Sequence, residues 1–298
     1  MERRVGLICA LASSTIWGLT IIYWKALASI DPLVVTLYRV FFVAFTLLFA
    51  VLIKYSKEDV KKILRNRANV MALVIGGILI SAGWGINIWG VKVNEILQIS
   101  LGFYLEPVLI SAMGIILLKE MFKPYLRVTF LFALAGIGVM AAAYGRIPLF
   151  ALGLAGSYAA YALVKRKTDI PVFLALFFES ALLLPLVIPL LIWLEAGRRG
   201  ALAQGQAWQL VLLLFIGVVT AAPLGLFAIA ARKASFTVLG MTAYIDPTII
   251  LLLGIFLYKE AVNSYQLIGR LLIWLGLMAF TIGQYREHKT GRGHEKAG

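Results

Sequence analysis

Long apolar runs of roughly 20 residues, parted by short charged clusters, constrain this chain more than any other feature. A helix of that length crosses a hydrocarbon core of about 30 Å. The runs lack the alternation of a half-buried strand. Inside lipid the backbone must also pair its own N–H and C=O groups, so the runs read as helices. The hydrophobic share is 62%, against roughly 45–50% in soluble domains, which excludes a soluble core. The pattern predicts an all-α membrane protein with ten transmembrane helices over 5–25, 33–54, 70–92, 96–118, 124–144, 148–166, 171–194, 208–231, 235–257 and 262–285. Pro124, Pro148 and Pro171 stand where proline suits a helix start. The segment 56–67 (SKEDVKKILRNR) reads as a break.

A net charge of +14 invites a nucleic-acid reading, but the placement of the charges argues against one. Lys and Arg gather at span ends, as topology signals and anionic headgroups require. With the N-terminus inside, 20 of the 28 basic residues fall in cytoplasmic segments and 6 in outer ones, leaving Arg39 and Arg270 within spans. That bias places both termini in the cytoplasm of a cell (inner) membrane protein. Met1-Glu2-Arg3-Arg4 leads directly into the first span, which serves as a signal anchor. Cys9 is the single cysteine, so the chain builds no disulfide or thiolate metal site. His288 and His294 lie in the polar tail, and HExxH, Gly-x-Gly-Asp and GxxxxGK[ST] motifs are missing. No metal, cofactor or catalytic group is expected.

Residues 101–140 and 241–280 echo one another at a shift of 140 positions. The shift pairs Tyr104 with Tyr244, Glu106 with Asp246, Pro107 with Pro247 and Gly114 with Gly254. It also pairs Lys119 with Lys259, Glu120 with Glu260, Tyr125 with Tyr265 and Gly136 with Gly276. Five spans per half is an odd number, so the second copy enters the membrane upside down. We expect two inverted five-helix repeats, 1–145 and 146–286, then a cytoplasmic polar tail at 287–298. Such an arrangement puts a site near the midplane between halves and suits alternating access.

Several stretches carry a resemblance: Ile16-Trp17-Gly18, Arg39-Val40, Trp84 with Ile88-Trp89, Ser100-Leu101-Gly102-Phe103-Tyr104 and Pro107. Later come Ala151-Leu152-Gly153-Leu154, Glu179, Leu184-Pro185, Thr220 with Pro223-Leu224, Thr237–Gly240, Tyr244-Ile245 and Pro247-Thr248. In this order and spacing the chain resembles the drug/metabolite transporter superfamily, in its EamA branch, and within it the RarD-type permeases. The resemblance implies a permease with a central cavity formed by spans 1, 3, 4, 6, 8 and 9. Glu106 and Asp246 depart from the family pattern, where Asn and Gly are usual, as does Gly83, where Asn is typical.

Glu106 and Asp246 are the residues of greatest chemical interest. A carboxylate in mid-span is costly unless it serves a purpose. Each precedes a proline, Pro107 or Pro247, which loosens the helix and suits gating. They can bind a cationic or amine-bearing solute or exchange a proton for it; the alternative is a structural hydrogen-bonded or ion-paired group. Arg39 can reach toward Glu106 or Glu179, while Arg270 sits at the depth of Asp246. Trp17, Trp84, Tyr104, Tyr158 and Tyr244 form an aromatic set able to hold a cation, or else to pack. Asn87 offers a hydrogen bond to solute or helix. Trp193 and Trp208 belong to the interfacial belt.

The reading is a secondary active transporter of a small organic solute, amine-bearing, cationic or amino-acid- or drug-like, coupled to protons through Glu106 and Asp246. A channel or uncoupled facilitator is the alternative, with an intramembrane enzyme behind it. The expected partners are solute, bilayer and protons, and the expected state is a monomer or weak homodimer.

Overall fold

The computed structural model describes residues 2–93, 95–142, 145, 147–259 and 264–295, and among these residues there are helices but no strand. The first half holds α1 (Glu2–Ala26), α2 (Pro32–Lys54), α3 (Lys57–Arg65), α4 (Arg67–Lys92), α5 (Ile96–Leu117) and α6 (Pro124–Ala142). The second holds α7 (Leu149–Lys167), α8 (Val172–Ala181), α9 (Leu184–Ala196), α10 (Ala201–Gln204), α11 (Ala207–Lys233), α12 (Phe236–Ala243), α13 (Ile245–Phe256) and α14 (Ser264–Glu295). Eight stretches among the described residues are long and apolar enough to cross a membrane, α12 and α13 counting as one. A ninth arises if the bent pair that begins with α8 is a single span. The 19-residue α7, rich in Ala and Gly with three basic residues in its last turn, is not among them. Large apolar side chains such as Ile53, Met121 and Leu186 are outward and exposed, as lipid contact requires.

Four details differ from the sequence expectation. The segment 56–67 is not a plain break but contains α3, which opens with a capping box. There the Asp59 backbone N–H donates to Ser56 Oγ at 3.1 Å, and the Ser56 N–H donates to Asp59 Oδ2 at 2.9 Å. That backbone bond and the Ser56 hydroxyl hold the Asp59 carboxyl below the ordinary aspartate range. The span expected over 171–194 is broken at Leu182-Leu183, and its two parts are bent by 52°. Pro185 lies in the first turn of α9, where it has no N–H to continue the preceding helix. The span over 235–257 breaks at Tyr244. The polar tail is helical as far as Glu295, as a continuation of α14.

Contacts between helix ends gather the basic termini on one side of the bundle. Lys233 pairs with Glu2 at 3.4 Å, Lys54 lies 5.0 Å over the Phe173 ring, and Lys123 pairs with Glu287. Arg166 on α7 donates to the carbonyls of Ala231 (3.4 Å), Ala234 (3.2 Å) and Arg232 at the end of α11. Arg232 returns the favour, donating to the Lys165 (3.4 Å) and Ile170 carbonyls. Each arginine thus satisfies carbonyls that a helix end leaves without intrahelical partners. At the opposite side the Tyr23 hydroxyl donates to the Leu212 carbonyl, and the Asp31 N–H to Gln204 Oε1 at 2.6 Å.

The loop after α5 ties the halves together. Lys119 takes a left-handed φ of 54°, as does its mate Lys259; Glu260 lies outside the described residues. The turn at Lys119 sends the Glu120 carboxylate to the start of α12. It accepts from Phe236 N (2.5 Å), Thr237 N (2.9 Å) and Thr237 Oγ1 (2.6 Å). Two otherwise unpaired N–H groups are satisfied by a negative charge at a helix N-terminus, as the dipole favours. Glu120→Ala is expected to cost about 1–2 kcal/mol and to speed amide exchange at 236–239. Unchanged exchange there would remove this role from Glu120.

Helices α6 and α14 meet on small residues. A Cβ on Gly136 would lie 2.4 Å from the Gly269 carbonyl oxygen, and one on Gly276 would lie 2.9 Å from that of Thr129. Close backbone approach of this kind is how helices associate in lipid, where no hydrophobic difference drives them together.

Candidate functional site

Glu106 on α5 and Asp246 in the first turn of α13 fall in the same region of the bundle, close enough to feel each other's charge. Tyr158 on α7 feels both of them and Arg39 as well. Helix α5 reaches α12 because Gly240 leaves no side chain in the way: a Cβ there would sit 2.4 Å from the Pro107 carbonyl oxygen. Gly18 does the same for α1 against α13, where a Cβ would lie 3.1 Å from the Asp246 carbonyl oxygen. Gly83 of α4 makes room for the Tyr158 ring, whose Cε1 would be 2.4 Å from an added Cβ. Phe103 stacks on Tyr158 at 6.4 Å between ring centroids. Small residues therefore bring the two acids and Tyr158 to one place.

Neither acid has a cation within 4.0 Å among the described residues. Asp246 Oδ1 is buried without a hydrogen-bond partner. Glu106, Asp246, Tyr158 and Arg39 are all half-buried. The arginines expected to neutralise these acids lie on aromatic rings instead. Arg39 has its guanidinium carbon 5.2 Å from the Trp17 ring centroid, 5.1 Å from Trp24 and 4.6 Å from Trp84. Arg270 lies 5.6 Å over Tyr104. Both arginines have a buried Nε without a hydrogen-bond partner.

Glu179 does not reach Arg39. Its carboxylate takes Lys165 Nζ at 2.6 and 2.8 Å and the Tyr161 hydroxyl at 3.0 Å. Both side chains of this ion pair are almost fully buried, at 1% and 4% exposure. Lys165, counted from sequence among the topology-setting cations, is thus an interior residue. Gly76 opens the space, since a Cβ there would lie 2.6 Å from Glu179 Oε1.

The remaining expected residues divide. Tyr104 and Tyr244 meet at 6.4 Å, but in a sealed core cluster with Leu101, Val108 and Met241. The Tyr104 hydroxyl donates to the Pro247 carbonyl at 3.3 Å. Trp17 and Trp84 both lie against the chain's own guanidinium, that of Arg39. Asn87 is half-buried on α4. Pro107 does not break α5, which runs unbroken from Ile96 to Leu117; only the Pro247 side has a break, at Tyr244. Trp193 and Trp208 are exposed, at 62% and 50%, in keeping with a belt. An open apolar groove of about 400 Å³ between α1 and α11, lined by Ile16, Tyr23, Leu212 and Val219 among others, holds none of the acids. Among the described residues no group of His, Cys, Asp or Glu is placed to hold a metal.

Sequence reasoning placed Lys165 among the cytoplasmic cations and ranked Trp24, nearer the outer end of its span, below Trp17; Glu120 is the helix-end charge that its position suggests. Trp24 was signalled by its spacing of seven from Trp17, which places both on one helical face. Lys165 carried a weaker signal, sharing a face with Tyr161 four residues earlier.

Comparison with known proteins follows the same lines. The model of the EamA-like transporter family matches twice, at residues 4–142 and 146–282. An uncharacterized transporter of Bacillus subtilis (strain 168), YojE, is 32% identical over 98% of this chain and 99% of its own length. An uncharacterized transporter of Vibrio cholerae is 32% identical over 94% of this chain and 93% of its own. The protein RarD of Escherichia coli (strain K12) is 27% identical over 98% and 99% respectively. A crystal structure with 18% identity superimposes at a TM-score of 0.69, covering 94% of this chain and 98% of that one, and so shares the fold. With apolar helices throughout and a family match over nearly its whole length, the chain belongs to the EamA-like transporter family and is a multi-pass membrane transporter of the drug/metabolite transporter superfamily.

Proposed function

We propose that this transporter is a secondary carrier working by alternating access, with Glu106 and Asp246 holding one small, amine-bearing organic solute between its two halves. One observation carries the reading. Two acids at equivalent positions of the two repeat-like segments lie within electrostatic range of each other, and among the described residues neither has a cationic partner within 4.0 Å. Unpaired acids deep in a membrane bundle are expensive, and a cationic solute or a proton offsets that cost. Two exchangeable occupants for one site are what coupling to a proton gradient needs.

The halves supply the motion. Counting α7 and joining α8 with α9 and α12 with α13 gives ten spans, five in 1–145 and five in 146–286. The family match falls once on each half. Helix packing supports a repeat too. α4 packs on α7 as α1 packs on α11, and α5 packs on α7 as α1 packs on α13. The contact of Gly136 with Gly269 becomes that of Gly276 with Thr129 when 140 is added to one member and taken from the other. Lys119 and Lys259 share a φ of 54°. An odd number of spans inverts the second copy, so the site can be opened to either side by rocking one half against the other. The bias of basic residues supports cytoplasmic termini in the inner membrane, even with Lys165 withdrawn from the count.

The test is counterflow in proteoliposomes across amines, amino acids and nucleobases, with and without an imposed pH gradient. Wild type is expected to show saturable counterflow, and Glu106→Gln to lower it at least about tenfold, the worth of one charge-assisted contact. Normal transport and an unchanged pH response in Glu106→Gln would take that residue out of the mechanism. Unsaturable ion flux in wild type would make the protein a channel.

A further inference from the structure

We propose that Arg39, with Trp17, Trp24 and Trp84, is the subsite for an oxyanion carried by the solute, a carboxylate foremost. The inference deepens the carrier reading above: it adds an acidic group to the substrate class and assigns it a place.

The geometry begins with the guanidinium. Three indole rings surround it at 4.6–5.2 Å. Their π faces stabilise the positive charge but offer no lone pairs to its five N–H donors. Among the described residues Arg39 has no ion pair, and its Nε is buried without an acceptor. A buried donor left this way costs free energy that an acceptor would recover. Each acid that the chain could have used is elsewhere. Glu179 is held by Lys165 and Tyr161. Glu106 and Asp246 lie farther than 4.0 Å, and Tyr158 is the group that feels both them and Arg39.

The cage is also fixed in advance. The Trp24 indole N–H donates to Thr20 Oγ1 at 3.0 Å, and the Thr20 hydroxyl donates to the Trp17 carbonyl at 2.6 Å. Trp84 is packed into the core beside Val40 and Val43. Arg39 as a residue is half-buried rather than fully enclosed. A guanidinium set among three rings, with donors that no described residue takes up, is the arrangement that takes a two-oxygen anion bidentately. Lysine would supply the charge without the fork.

The experiment uses the full chain in lipid nanodiscs and four probes of one shape: phenylacetate, phenylphosphonate, phenylacetamide and phenethylamine. Three of the chain's seven tryptophans line the subsite, so intrinsic fluorescence reads occupancy directly and calorimetry reads affinity. Phenylacetate is expected to give a saturable response, and neutral phenylacetamide none at about tenfold higher concentration. Arg39→Gln should weaken phenylacetate at least about tenfold and Arg39→Lys by less. Phenylacetate should also protect Arg39 of the unmutated protein from phenylglyoxal, a readout that needs no variant to fold. Equal binding of the amide, undiminished binding in Arg39→Gln, a lack of protection, or no saturable response in wild type each overturns the subsite. A response to phenylphosphonate alone would overturn the carboxylate assignment. Counterflow separates the two readings. Transport without anion binding sinks the subsite alone, and anion binding without counterflow sinks the carrier alone.

Discussion

Lys165→Met is expected to destabilise the folded protein by about 3–5 kcal/mol, because it leaves a buried carboxylate without its cation. Lys165 and Glu179 are 2.6 Å apart with almost no exposure, and the Tyr161 hydroxyl is the other group on that carboxylate. Removing the ammonium does not return Glu179 to water. The acid must take up a proton or draw water into a space bounded by α4, α7 and α8. The double variant Lys165→Met/Glu179→Leu removes both charges and should recover most of the loss, since an apolar pair avoids the desolvation penalty altogether. Denaturant titration in mixed micelles checks the cycle. Additive single losses in the double variant would show that the two side chains do not act as a pair.

Gly240→Leu is expected to cost about 3 kcal/mol or more and to abolish transport. Its Cβ would lie 2.2 Å from Ser111 Oγ and 2.4 Å from the Pro107 carbonyl oxygen. The hydroxyl can rotate away, but the carbonyl belongs to the backbone of α5. Relief therefore comes only by moving α12 from α5, and those helices lead into Asp246 and carry Glu106. Gly138→Leu is the control, because a Cβ at Gly138 meets nothing within 4 Å. Loss of counterflow and of the thermal transition in Gly240→Leu, with both kept in Gly138→Leu, is the expected result. A stable, active Gly240→Leu would mean that the α5–α12 contact is dispensable.

Much of this architecture was legible in the residues because lipid leaves the backbone few choices. Apolar length set the spans, and charge clusters set their ends to within a few residues, except in α14, which runs through its charge cluster to Glu295. α3 escaped notice because its twelve-residue surroundings are polar; only Ser56 and Asp59, three apart, marked its start. The break before Leu184 was marked by Pro185, yet the 52° bend depends on what α8 and α9 pack against. The site was half legible. Repetition singled out Glu106 and Asp246, and the bundle brings them together. Partner choice was not legible, because it depends on which helix faces which. Lys165, Arg166 and Lys167 look alike as a basic run. The 100° step of the helix turns the first into the core, the second onto α11 and the third outward. Arg39 found three indoles rather than an acid for the same reason.

The hand-off of Glu120 to the start of α12 has a consequence for biosynthesis. The carboxylate leaves the ribosome 116 residues ahead of Phe236, whose amide it will accept. At roughly 5–20 residues per second, that is a delay on the order of ten seconds. The pairings of α5 with α12, of α1 and α2 with α11 and of α6 with α14 must wait as well. Early helices therefore reach the bilayer with their future contact faces against acyl chains, and docking follows insertion as a separate, later stage of maturation.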